Sequence, residues 1–128
     1  MRIHKEWWSL AKFLIVDDSA VMRRNIRNIL EEVGHEVVFE AVDGREVLPA
    51  YINHKPDIVT MDISMPEVDG IEALKTLIHN FPNVKVIMIS AMGQKQQVLE
   101  AIKLGAKSYL VKPIEKDKFL DIIAKFID

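Results

Sequence analysis

The apolar residues of this 128-residue chain follow two patterns that alternate along its length. In one pattern they form short continuous runs, which are typical of strands buried on both faces of a parallel sheet. In the other they recur at every third or fourth position, which marks one face of a helix. The runs that we interpret as strands are 13–16, 37–39, 58–61, 86–89 and 109–111.

Helical faces lie between and after these runs. Gly34 and Gly105 stand where the first and fourth helices are expected to end. With a second helix over 45–53, the pattern has five strands alternating with five helices, which predicts a doubly wound α/β domain with a parallel sheet. The positions of the other four faces are Met22, Ile26, Ile29, Leu30 and Val33; Ile71, Leu74, Ile78 and Phe81; Val98, Leu99, Ala101 and Ile102; and Phe119, Ile122, Ile123 and Phe126.

The second helix carries a residue that disturbs it. Asp43 precedes it and is a candidate N-cap. Pro49 falls inside it, where proline removes a backbone donor and clashes with the preceding turn. We therefore expect this helix to be short, to be kinked or to begin late.

The composition fits a single globular domain, because 49% of the residues are hydrophobic, enough for a core. The net charge of −2 is unlike that of nucleic-acid-binding domains, which are usually strongly basic. The chain contains no cysteine, which excludes disulfides and metal sites with thiolate ligands. No apolar run has the roughly 18 residues of a membrane span, and the N-terminus does not resemble a secretory signal. We expect a cytoplasmic protein that does not insert into membranes. The histidines show no metal-ligand spacing and are expected at the surface: His4, His35, His54 and His79.

The first residues have no evident place in the alternation. We interpret 1–11 as an N-terminal extension of unknown role and 12–128 as the domain. Trp7 and Trp8, within the extension, either pack under the amino edge of the sheet, dock a partner or stay free. Packing is favoured, because an exposed tryptophan pair is a liability.

Reactive side chains follow four of the predicted strands. Asp17 and Asp18 follow the first strand, Asp62 the third, Ser90 the fourth and Lys112 the fifth. Parallel strands bring their carboxyl ends to one edge of the sheet, where open α/β sheets bind ligands. Three crowded carboxylates repel one another unless a cation lies among them. The pattern therefore predicts a site that holds a cation and, with it, a phosphoryl group.

Each of these signals has an ordinary explanation when it is taken alone. Asp17 and Asp18 suit a helix cap as well as a hard cation such as Mg²⁺, and a loop acid such as Asp62 is usually a turn residue. A lysine such as Lys112 is usually a solvated charge. The bond between Lys112 and Pro113 is a candidate cis peptide, which would turn the lysine inward. The site interpretation depends on the four signals occurring together.

Four stretches carry a resemblance to a known family. They are 14–19, 57–62, 65–70 and 108–113, and together they resemble the receiver domain of response regulators in two-component signalling, close to the single-domain CheY type. The resemblance spans about 12–128. It implies the flavodoxin-like (βα)5 fold, with the strand order 2-1-3-4-5.

The resemblance implies a phosphoacceptor and a metal site. Asp62 matches the aspartate that takes up the phosphoryl group. Asp18 matches a direct metal ligand, Asp17 matches the acid that holds metal-bound water, and Ser64 matches the position that offers its backbone carbonyl. With Asp62 itself, these residues are expected to bind Mg²⁺, for which Mn²⁺ can substitute.

The resemblance also implies residues that bind and sense the phosphoryl group. Ser90 and Lys112 match its hydroxyl and ammonium ligands. Ser90 and Tyr109 match the pair that switches conformation. Ser64 and Met92 match positions that tune the rate of dephosphorylation.

The implied partners are proteins. A sensor histidine kinase is expected to phosphorylate the chain, which would then bind a downstream target through the face of the fourth helix, fifth strand and fifth helix. The protein is expected to be a monomer or a phosphorylation-dependent dimer, without direct contact to nucleic acid. It would be no enzyme beyond catalysing its own phosphorylation and dephosphorylation.

Three alternatives remain open. The end of the chain near the fifth helix favours a stand-alone chemotaxis-type regulator, but a receiver fragment of a larger transcriptional regulator has the same sequence pattern. An Asp-nucleophile phosphatase also uses a strand-end aspartate, although such enzymes usually have Asp-x-Asp at one strand. A nucleotide- or flavin-binding domain lacks support, because the chain contains no glycine-rich phosphate loop.

Overall fold

Five parallel strands form one sheet in the computed structural model, which describes residues 10–127. Their order across the sheet is β2-β1-β3-β4-β5, so the predicted doubly wound topology and strand order are confirmed. The strands are β1 (Lys12–Val16), β2 (Glu36–Ala41), β3 (Ile58–Asp62), β4 (Val86–Ser90) and β5 (Ser108–Val111).

Five α-helices connect and follow the strands. They are α1 (Ala20–Glu32), α2 (Val47–His54), α3 (Gly70–Asn80), α4 (Lys95–Leu104) and α5 (Lys116–Ala124), with a 3₁₀ turn at Gly44–Glu46. Within residues 10–127 no helix combines the length and the apolar character that crossing a bilayer requires.

Two apolar clusters place the helices on opposite faces of the sheet. Alternate residues of a strand point to opposite faces, so Leu14 and Val16 pack with α2, α3 and α4, whereas Phe13 and Ile15 pack with α1 and α5. The sheet is therefore buried on both sides, as the continuous apolar runs predicted. Because helices cover both faces, side chains can contact both the core and solvent at the carboxyl edge of the sheet.

Helix starts at this edge are fixed by side-chain caps. Ser19 accepts a hydrogen bond from the Met22 backbone at the start of α1, and Asp69 accepts one from Glu72 at the start of α3. Both caps lie in the loops that directly follow β1 and β3. They therefore hold the loops that carry the acidic residues.

The second helix begins late, one of the outcomes expected from its proline. It starts at Val47, which makes Pro49 its third residue. In a first turn the backbone N–H has no partner within the helix, so proline is tolerated there. The expectation that Asp43 caps this helix is wrong, because Asp43 accepts a hydrogen bond from Arg45 and caps the 3₁₀ turn instead.

One histidine departs from the surface position that was expected. His35 is half-buried, its Nδ1 accepts a hydrogen bond from the Ala11 backbone at 3.0 Å, and its ring packs against Phe13. The expectation overlooked that a neutral imidazole can serve as a buried acceptor. His54 and His79 are exposed as expected, whereas His4 and the Trp7–Trp8 pair lie outside the described residues.

Candidate functional site

Three carboxylates meet at the carboxyl edge of the sheet. Asp17 follows β1, Asp18 is next to it, and Asp62 ends β3, the central strand. One oxygen from each lies within 4.8 Å of the others. Asp17 and Asp62 are buried, whereas Asp18 is exposed, so the cluster opens to solvent on one side.

Asp17 is held by bonds to three neighbouring segments. Its backbone N–H donates to Ala41 at 3.1 Å, and its Oδ1 accepts from the Ser19 backbone at 2.8 Å. Arg23 Nη1 in α1 donates to its carbonyl oxygen at 2.8 Å, while the same guanidinium donates from Nε to Glu40 of β2. The sequence reasoning did not identify Arg23 as a residue that holds the site.

Lys112 brings the positive charge to the cluster. Its Nζ lies 3.4 Å from Asp17 Oδ2 and 3.4 Å from Asp62 Oδ1. Its backbone N–H donates to Ser90 at 2.8 Å, and the peptide bond that joins it to Pro113 is cis. The site thus contains one ammonium group and three carboxylates, so negative charge is in excess.

The excess charge affects the protonation of Asp62. Burial, followed by the nearby charge of Asp17, raises the pKa of Asp62 from 3.8 to about 6, although Lys112 acts in the opposite direction. A carboxylate in this state gains from a further cation nearby. The electrostatics of the site therefore favour cation binding.

The donor set fits a hard divalent cation. Mg²⁺ prefers oxygen ligands, keeps several waters and binds through one or two carboxylates together with phosphate. Asp17 Oδ2 is buried and forms an ion pair with Lys112 Nζ at 3.4 Å, but it accepts no hydrogen bond from the described residues, so it can still accept one from metal-bound water. One oxygen of Asp62 and one of the exposed Asp18 complete a set of three oxygens, which is open to solvent at Asp18.

The two predicted switch residues lie beside this cluster. Ser90 ends β4 next to Ile89, which pairs with Asp62 across the sheet. Its hydroxyl is buried and donates to the Leu110 carbonyl at 3.4 Å rather than to Asp62. Tyr109 is 46% exposed.

Two clefts flank the acidic cluster. One has a volume of about 400 Å³, and Asp18 and Ser64 line it. The other, of about 360 Å³, is lined by Ser90, Met92 and Tyr109. The predicted dephosphorylation-tuning pair is thus divided between the clefts, with Met92 83% exposed.

Besides Arg23, two features of the site were not predicted from the sequence. Gln94 lines both clefts and bonds to Ser64, but a polar residue before a helix gives no signal of such a contact. Gly70 lies against the Asp62 carbonyl, where a Cβ would meet the oxygen at 2.1 Å. A glycine at the start of a helix after Pro66 could have indicated this close approach, because glycine is common where backbones meet.

Comparison with known proteins gives a consistent result. Residues 13–124 match the family model for the response regulator receiver domain. The chain is 50% identical over 116 residues to the chemotaxis protein CheY of Listeria monocytogenes, which covers 91% of this chain and 98% of that protein. It is 48% identical over 114 residues to CheY of Thermotoga maritima, covering 89% and 95% of the two chains. A solved CheX–CheY–BeF3–Mg²⁺ complex from Borrelia burgdorferi contains a chain with a TM-score of 0.85 and 38% identity, with 91% and 90% of the two chains covered.

Proposed function

This chain belongs to the response-regulator receiver family, and we propose that it accepts a phosphoryl group from a sensor histidine kinase onto Asp62. The observation that supports this most strongly is the position of Lys112 Nζ, 3.4 Å from a buried Asp62 oxygen beside two further carboxylates. A buried, crowded nucleophile with one ammonium at its oxygen is arranged for transfer of a charged group. The chain is a signalling protein of the chemotaxis type, and its stand-alone action is part of the proposal.

In the proposed transfer, an Asp62 oxygen attacks the phosphorus of a phosphohistidine. The new bond joins this oxygen to phosphorus, and the bond from phosphorus to the imidazole nitrogen breaks. The electron pair returns to the imidazole, which takes up a proton. Lys112 offsets negative charge on the transferring group, and catalysis of phosphoryl transfer depends mainly on such positioning and charge stabilisation.

The acidic residues are proposed to hold Mg²⁺, with Mn²⁺ as a substitute. Asp18 and Asp62 would be carboxylate ligands, Asp17 would hold metal-bound water, and Ser64 would offer its backbone carbonyl. When bound, the ion supplies positive charge that offsets the phosphoryl oxygens. The buried Asp17 Oδ2, which accepts no hydrogen bond from the described residues, supports this assignment.

The same site is proposed to drive a conformational switch. The phosphoryl group adds negative charge and acceptor oxygens, and Ser90 would leave the Leu110 carbonyl to donate to it. The space that Ser90 vacates would admit the ring of Tyr109, which is half-exposed beforehand. A comparison of the Tyr109 ring signals with and without a phosphoryl mimic tests the switch, and an unchanged ring would reject it.

A downstream protein is proposed to bind the face of α4, β5 and α5. Apolar side chains are exposed on this side, which is unusual without a binding role when they cluster. The CheY relative from Borrelia burgdorferi forms a complex with another protein, which supports a protein target here. We propose a monomer, or a dimer formed on phosphorylation, with 12–128 as the receiver and 1–11 as an extension of unknown role. The exposed side chains are Met92, Leu99, Ile102, Tyr109 and Val111.

The phosphoacceptor is tested by labelling with radioactive acetyl phosphate and Mg²⁺. The wild type is expected to take up an acid-labile label, and Asp62→Asn is expected to take up none. Asp57→Asn is the matched control, because Asp57 lies just before β3, at the opposite edge of the sheet, where it accepts a hydrogen bond from Lys12. Full labelling of Asp62→Asn would remove Asp62 from its role, and steady turnover of phosphate esters by the wild type would favour a phosphatase.

A further inference from the structure

The side chain of Gln94 connects the two loops that border the predicted phosphoryl site. Its Oε1 accepts a hydrogen bond from the Ala91 backbone at 2.7 Å, and its Nε2 donates to Ser64 Oγ at 2.5 Å. Ala91 follows Ser90 at the end of β4, and Ser64 lies two residues after Asp62 at the end of β3. One side chain therefore links the strand ends on both sides of the site.

Hydrogen-bond chemistry fixes the direction of this link. A backbone N–H can only donate, so Gln94 must present its oxygen to Ala91 and its nitrogen to Ser64. The Ser64 hydroxyl consequently accepts, and its own proton remains available for another acceptor. Gln94 thus orients the hydroxyl of Ser64 as well as holding it in place.

The link lies in the wall of a cleft that reaches the acidic cluster at Asp18. Gln94 and Ser64 line the cleft of about 400 Å³, whose wall also includes Asp18. Gln94 is half-buried and Ser64 is exposed, as expected of groups at a cleft mouth. The side chain of Met92, the other predicted tuning position, is 83% exposed and does not line this cleft.

We propose that Gln94 is a positioning residue that acts through Ser64 to close this cleft against water. The inference rests on the proposed function, because it concerns the phosphoryl group on Asp62. In hydrolysis, a water oxygen bonds to phosphorus, the bond from phosphorus to the Asp62 oxygen breaks, and the products are inorganic phosphate, the free carboxylate and a released proton. A link across the cleft mouth slows this reaction by limiting the approach of water.

The test measures loss of the label after the wild type and variants are phosphorylated with acetyl phosphate and Mg²⁺ and freed of donor. Gln94→Ala is expected to lose label about 3- to 10-fold faster than wild type, the effect of about one hydrogen bond. Gln94→Met is expected to behave in the same way, because it keeps the length of the side chain but cannot make either bond. Gln96→Ala is the matched control, since Gln96 is an exposed glutamine in the first turn of α4 and does not line the cleft.

A second comparison tests whether Gln94 acts through Ser64. The variant Ser64→Ala breaks the same link, so the double variant with Gln94→Ala is expected to lose label no faster than the faster single variant. Rates of label uptake and thermal midpoints of Gln94→Ala and Gln94→Met are expected to stay near wild type, which a general loss of structure would not allow. Independent, multiplying effects of the two substitutions would overturn the inference.

The outcomes separate this inference from the proposed function. A wild type that takes up no label contradicts both. A labelled wild type whose decay is unchanged or slowed in Gln94→Ala and Gln94→Met contradicts only the role of Gln94.

Discussion

The carboxyl group of Asp62 lies in an environment that disfavours its ionised form. It is 3% exposed, and burial together with the charge of Asp17 raises its pKa to about 6. The ammonium of Lys112 offsets only part of this cost. When such a buried group is ionised, it destabilises the folded protein. A nearby cation or protonation of the group removes this destabilisation.

This predicts that Asp62→Asn stabilises the metal-free protein. The carboxyl binds its proton more tightly in the folded state than at the ordinary pKa of 3.8, so the free energy of unfolding falls as pH rises from 3.8 to about 6. Asparagine does not ionise, so the variant avoids this decrease in the free energy of unfolding. The decrease is about 2–3 kcal/mol at pH 7 for a pKa raised from 3.8 to about 6. Thermal unfolding in chelator should show the gain at pH 7 and little gain below pH ~4. A variant no more stable than wild type at pH 7 would contradict the electrostatic picture.

The clustering of the charged residues was largely predictable from their positions after strands. Asp17, Asp62 and Lys112 were expected together because parallel strands end at one edge, and the structure places their charged atoms within contact distance. His35 was not predictable in the same way, since its hydrogen bond to Ala11 depends on the packing of β1 beside β2. Gln94 depends likewise on how two loops approach each other.

At the scale of elements, the junction of β3 and α3 sets the position of Asp62, the proposed phosphoacceptor. Asp69 caps α3, and the Gly70 backbone donates to Ile63 at 2.8 Å, so the helix starts directly against the end of the strand. A Cβ on Gly70 would lie 2.1 Å from the Asp62 carbonyl oxygen. The helix and the reactive strand end are therefore in backbone contact.

Substitution of Gly70→Ala is predicted to disturb both stability and chemistry. Because the Cβ would overlap backbone atoms, the strand end or the helix must move, at a cost of about 2 kcal/mol or more. Chemical denaturation should show this loss, and the variant should take up the phosphoryl label more slowly. Lys75→Ala, at an exposed position of the same helix, is the control and should stay within about 0.5 kcal/mol of wild type. An unaffected Gly70→Ala would show that the contact is not required.

Element boundaries show where sequence reasoning was limited. Periodicity predicted five strands and five helices, and Pro49 predicted a disturbed second helix. The sequence did not predict that a 3₁₀ turn precedes this helix, because Asp43 can cap either a helix or a turn. The Asp43–Arg45 side-chain pair, with nitrogen and oxygen 3.0 Å apart, accompanies the turn, and residues two apart do not face each other on a helix.

At the scale of the molecule, the sheet brings negative charges together at one edge, although the net charge of the chain is small. The net charge of the chain is only −2, yet three carboxylates share one edge with one lysine. Strand order decides this arrangement, since β1 and β3 are neighbours at the centre of the sheet. That order came from the family resemblance, because hydrophobic patterns identify strands but not their neighbours.

This concentration predicts that Mg²⁺ stabilises the whole domain. A ligand that binds only the folded state adds about 2.7 kcal/mol at 100 times its dissociation constant. The thermal midpoint of wild type should therefore rise with Mg²⁺ concentration, and the rise should be much smaller in Asp18→Asn, whose exposed side chain can change without disturbing the core. Asp57→Asn should respond like wild type. Equal responses of Asp18→Asn and wild type would place the ion elsewhere.

The central claim is that the phosphoryl group is carried by Asp62, and chemical mapping tests it most directly. Borohydride reduces an aspartyl phosphate to homoserine, which mass spectrometry locates in the digested protein. After phosphorylation with acetyl phosphate and Mg²⁺, we expect homoserine at position 62 and none at 17, 18 or 57. Homoserine at another aspartate, with position 62 unchanged, would contradict it.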